Sequence, residues 1–137
     1  AMTAAAAGPV TAMHDATEGG LHGAFVEMAT GAGVRFELER DRVPIRPGVE
    51  ETCEALGIDP WTATASGSLV VAVAPEGTEA VRSALDERGA TVARIGRVVD
   101  GAGVAVDGEE IEAPAVDSSW AAYSALSTGS STNPSST

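Results

Sequence analysis

The chain has 137 residues and a net charge of −12, set by 20 acidic side chains against eight arginines and no lysine. One domain fits this length, and a hydrophobic share of 44% is enough to build a core. No apolar run approaches the ~20 residues of a membrane-spanning helix, and no charged segment precedes a signal-type stretch, so the expectation is a soluble, cytoplasmic domain with no membrane partner. A single cysteine, Cys53, excludes an internal disulfide and a multi-cysteine metal site. Scattered arginines in so acidic a chain lack the basic face that nucleic-acid backbone requires. Acidity spread over a patterned core suits a high-salt cytoplasm, where a Debye length of about 3 Å at 1 M screens self-repulsion. A halophilic source is the preferred origin, with an acidic protein from a GC-rich genome as the alternative.

In chain order, Ala1 to Gly8 is small-residue sequence that reads as a linker or a chain end, and residues 1–9 are set apart on that ground. Val10 to Met13 is a short apolar run of strand character. It leads into HDATEGGLHGAFVEM, residues 14–28, in which Leu21, Ala24, Phe25, Met28 and Ala29 fall at the spacing of one buried helix face. Asp15 or Thr17 is positioned to cap that helix through a short side-chain oxygen. Strand, glycine turn and helix N-terminus in succession form a candidate anion site, because unpaired first-turn amides and the helix dipole both favour phosphate. The competing reading is that Gly19 and Gly20 permit only a tight turn or close packing, since no P-loop lysine follows.

Gly31 and Gly33 end the helix, and Val34, Phe36 and Leu38 alternate with charged residues as a strand with one wet face. Pro47 and Gly48 open a second helix in which Val49, Cys53 and Leu56 share a face, turning Cys53 inward as a small core residue, before Gly57 ends it. The stretch GIDPWTATASGS, residues 57–68, presents hydroxyls and amides that serve either a ligand or local turns. Leu69 to Ala74 is an unbroken apolar run expected as the central strand. A third helix follows Pro75 to Gly77, with Val81, Ala84 and Leu85 inward and Glu79 and Arg82 as a solvated pair, ending at Gly89. Thr91 to Val98 reads as a strand, and Asp107-Gly108 as a two-residue hairpin turn. Asp117 to Leu126 reads as a terminal helix carrying Trp120 and Tyr123, and the Ser/Thr-rich residues 127–137 as a disordered tail. The alternation implies an α/β or α+β sandwich, with helices packed on a mixed sheet across residues 10–126.

The segments MHDATEGGLHGAFVEMA, GIDPWTATASGSLVVAV and VARIGRVV together resemble the C-terminal domain of the aminoimidazole ribonucleotide (AIR) synthase superfamily over roughly residues 10–113. The paired motifs are a D-x-T-x-G-G-L helix start and an S-G-[ST]-L strand start. That superfamily includes the hydrogenase maturation protein HypE, selenophosphate synthetase and thiamine monophosphate kinase. The resemblance implies a three-layer, partly ferredoxin-like domain that forms the C-terminal half of a two-domain enzyme. It further implies ATP and Mg²⁺ in an interdomain cleft, a missing N-terminal ATP-binding domain that carries the metal carboxylates, and a homodimer in the full-length form.

Carried onto this chain, the family's glycine-rich turn falls at Thr17, Glu18, Gly19 and Gly20, and the adjoining loop at Ser66, Gly67 and Ser68. His14 and Asp15 are the candidate catalytic pair at the mouth of the turn. Each has a structural alternative, His14 as a packed strand-end residue and Asp15 as a cap. No metal ligands are assigned. The motif form resembles the hydrogenase maturation branch, whose C-terminal cysteine carries the reacting group. Here the last eighty residues hold no cysteine, which counts against that role unless the chain is truncated. Two readings follow: the C-terminal half of an ATP-dependent enzyme that activates an amide-type oxygen by phosphorylation, inactive as an isolated fragment, or a stand-alone binding or regulatory domain that keeps only the fold.

Overall fold

The computed structural model describes residues 1–113 and 118–128. Its elements run α1 (Met2–Ala7), β1 (Val10–Asp15), α2 (Gly20–Ala32), β2 (Arg35–Leu38), α3 (Val49–Leu56), β3 (Leu69–Val73), α4 (Thr78–Asp86), β4 (Gly96–Val99), β5 (Gly103–Val106), β6 (Glu109–Ile111) and α5 (Ser118–Thr128), with single 3₁₀ turns at Arg40–Arg42 and Pro75–Gly77. The strands form two sheets: an antiparallel β1–β3 ribbon, and a four-stranded mixed sheet in the order β4-β2-β5-β6 with β2 and β5 parallel.

Helix α2 holds the two sheets together. Its face of Ala24, Phe25, Met28 and Ala29 is buried, as the spacing predicts, and joins Val70 of β3, Phe36 and Leu38 of β2, and Val104 and Val106 of β5 in one core. Phe25 meets Phe36 edge to face, with ring centroids 5.3 Å apart. The β5–β6 hairpin turns at Asp107 (φ 52°) and Gly108 (φ 86°), the two left-handed residues that a type I′ turn demands. Cys53 is buried and free, and Glu79 lies 3.8 Å from Arg82 on the exposed side of α4.

Four expectations are corrected. Residues 1–8 are not a featureless linker: Met2–Ala7 is helical, Ala4 is fully buried, and α1 packs against α4, because a run of alanines is both a strong helix former and thin enough for close approach. The apolar run at Leu69 is not a central strand, since β3 pairs with β1 alone and one face of the ribbon stays open, leaving Leu69 40% exposed. Of Thr91 to Val98, only the part from Gly96 is strand, the register being set by pairing of Gly96–Val99 with β2. Helix α3 buries Cys53 but leaves Val49 and Leu56 of its apolar face substantially exposed. The terminal helix is present as α5 and runs through Ser127 and Thr128, the first two residues of the stretch 127–137 expected as a disordered tail, while residues 129–137 lie outside the described residues.

Candidate functional site

The two segments singled out in the sequence come together around Ala16, which is fully buried just past the end of β1. Its N–H donates to Ser68 O at 3.2 Å and its carbonyl accepts from Ala65 N–H at 2.9 Å. Ala65 to Ser68 closes as a tight turn through Ser68 N–H to Ala65 O, with Gly67 at φ 92° in the position where only a glycine-like backbone fits. The turn 17–20 and the loop 66–68 therefore lie side by side. Thr17, Glu18 and Ser66 to Ser68 are exposed, whereas Gly19 and Gly20 are buried.

Neither Asp15 nor Thr17 caps α2, contrary to expectation. The N-cap is Gly19 in the left-handed region (φ 71°), and Thr17 Oγ1 donates to Asp15 Oδ2 at 3.1 Å instead. Two consecutive left-handed glycines swing the first turn toward the loop, so the cap comes from its backbone: His22 N–H donates to Trp61 O at 3.0 Å. A Cβ on Gly20 would stand 2.5 Å from both Trp61 O and Ala63 O. Close packing alone thus requires glycine at 20. Among the described residues, the amides of Gly20, Leu21, Ser66 and Gly67 are left without an acceptor. They are the donors a phosphate could use.

Both ring nitrogens of His14 are engaged. Nδ1 faces Asp15 O at 2.6 Å and Nε2 faces Glu27 Oε2 at 3.0 Å. Neither oxygen donates, so both ring nitrogens must, and the doubly protonated imidazolium is the form that satisfies the site. The hydrogen bond to the Asp15 carbonyl, aided by Glu27 and opposed by partial burial, raises the His14 pKa above its ordinary value. With both nitrogens committed, His14 clamps β1 to α2. Asp15 stays exposed at the strand end. His22 donates from Nε2 to Glu112 O at 2.5 Å and ties α2 to the chain after β6.

Trp61 and Glu27 are the residues that sequence reasoning missed. Trp61 is 2% exposed, with the Arg40 guanidinium 5.3 Å from its ring centroid and its backbone N–H donating to Asp59 Oδ1 at 3.0 Å. Arg40 pairs with that same carboxylate. The signal was present in Asp59-Pro60-Trp61-Thr62, an Asx turn that fixes the indole under the loop. Glu27 has no local signal, because its partner is thirteen residues away across a strand-to-helix connection. No group of three or more metal-ligating side chains occurs among the described residues.

This helix-bridged pair of sheets, with a glycine turn and a serine loop at one end, defines the class. Residues 1–109 match the family of the AIR synthase related protein, C-terminal domain, and the chain belongs to it. Among its relatives is a carbamoyl dehydratase HypE of Rhizobium leguminosarum bv. viciae, 39% identical over 100 residues that cover 72% of this chain and 29% of that protein. A crystal structure of Escherichia coli HypE superposes with a TM-score of 0.76 at 32% identity, covering 84% of this chain and 38% of that one. A structure of HypE in complex with ATP superposes with a TM-score of 0.69 at 26% identity, covering 79% of this chain and 36% of that one. The chain spans about three-tenths of the length of the curated relatives it matches.

Proposed function

We propose that this chain is the C-terminal half of a HypE-like, ATP-dependent enzyme and that Thr17 to Gly20 with Ser66 to Ser68 receive nucleotide phosphate at its junction with an N-terminal domain. The observation that carries the reading is the pairing of the two segments through Ala16, which leaves amides of both unspent at one end of α2. ATP at such a site would supply the phosphoryl group that turns an amide-type oxygen into a leaving group. In that role the amides of Gly20 and Leu21 orient phosphate oxygens, and the Ser66 and Ser68 hydroxyls add donors from the loop. His14 ties β1 to α2 beside the turn.

Electrostatics constrain the ligand further. Asp15, Glu18 and Glu27 stand near the turn against one imidazolium, so bare polyphosphate is repelled and a Mg²⁺ complex is the favoured form.

Backbone amide shifts under titration with pyrophosphate or a non-hydrolysable ATP analogue plus Mg²⁺ test the proposal, first on this chain and then on a protein that includes the N-terminal domain. Saturable shifts at residues 17–21 and 66–68 are expected in the longer protein, and no ATP turnover by the chain alone. Nucleotide binding by the longer protein with both segments unmoved would sink the assignment.

A further inference from the structure

At the other end of α2 the two sheets part. Between them opens an apolar cleft of about 430 Å³, lined chiefly by Met28 and Ala32 of α2, Val34 and Phe36 at β2, Ala72 of β3 and Val98 of β4, with no ionisable side chain in its wall. Val98 is 47% exposed there. Helix α5 is a second unsatisfied apolar element. It carries no charged residue, and Trp120, Tyr123 and Leu126, spaced three apart along one flank, are 61%, 65% and 63% exposed, the two rings stacked edge to face. In a chain of net charge −12, the helix and the cleft wall are both free of charge.

We infer that α5 is a strap that closes over this cleft in its own chain, with Trp120 and Tyr123 seated between the β1–β3 ribbon and the mixed sheet. Reach permits it. Glu112 is pinned to His22 in the first turn of α2, and Met28 and Ala32 lie about 9 and 15 Å farther along the helix axis. Even with a helix diameter of ~10 Å to cross, the distance is about 13 Å to Met28 and about 18 Å to Ala32, while the five residues 113–117 can span up to about 17 Å and the first two residues of α5 add about 3 Å before Trp120. Charge favours the intramolecular contact over a second copy. Two chains of −12 repel each other, whereas a short tether holds α5 at an effective concentration in the millimolar range.

Photocrosslinking from p-benzoylphenylalanine in place of Trp120, in the whole chain at micromolar concentration, decides the point. The strap predicts monomeric products joined to the Met28–Phe36 segment or to Val98. It also predicts that Val98→Glu, at a half-exposed site where folding verified by circular dichroism is retained, abolishes those products. Crosslinks confined to other segments, products joining two chains, or a yield unchanged by Val98→Glu would each overturn the inference.

Discussion

Replacing Gly20 by alanine is the sharpest test of how the glycine turn is built. The new Cβ would sit 2.5 Å from Trp61 O and Ala63 O and 3.0 Å from the Thr62 carbonyl carbon, all of them backbone atoms that cannot rotate aside. The residue would also keep φ near 62°, which costs an L-residue roughly 1–2 kcal/mol. Relief requires the 61–63 loop to retreat, which breaks His22 N–H to Trp61 O and leaves an amide unpaired, at about 1–3 kcal/mol. The sum is roughly 2–5 kcal/mol, a large share of the 5–15 kcal/mol that holds an ordinary domain together. Gly33→Ala is the control, because its φ is 64° but nothing lies within 4 Å of its Cβ, so only the backbone term of roughly 1–2 kcal/mol applies. Urea unfolding followed by tryptophan fluorescence gives both values. A Gly20→Ala loss no larger than that of Gly33→Ala, at equal m-values, would show that the loop does not seal the helix start and would refute the packing account.

Three further outcomes follow from the structure. His14 has a raised pKa in the folded state, so its clamp contributes fully below its unfolded value of about 6.5 and is lost as pH rises through the folded pKa. His14→Gln should therefore destabilise more at pH 5.5 than at pH 8.5 (about one pH unit or more on either side of ~6.5), and equal losses at both would remove the imidazolium. With eight arginines against 20 carboxylates, raising NaCl from about 0.1 M to about 1 M should raise the melting temperature as repulsion is screened, and a fall would contradict that reading. Cys53, buried on α3, should react with a thiol reagent only through opening of that helix, so that urea well below the global midpoint accelerates labelling; immediate reaction in native buffer would place the thiol at the surface.

Periodicity determined the elements that carry their own signal. The buried face of α2, the alternation in β2, the inward Cys53 and the Asp107-Gly108 hairpin all follow from spacings of two or 3.6 residues and from turn chemistry acting within a few positions. Motif spacing also identified the two segments of the candidate site. Tertiary structure alone decided how those pieces meet. That β3 joins β1 in a separate ribbon, that His14 is held by Glu27, and that Trp61 and Ala63 carbonyls crowd Gly20 are facts about pairs of residues 13 to 63 apart. Such contacts leave no local mark, because each depends on where the whole core brings two backbones together. For the same reason, an apolar run such as Leu69 to Val73 announces a strand but not whether both of its faces are covered.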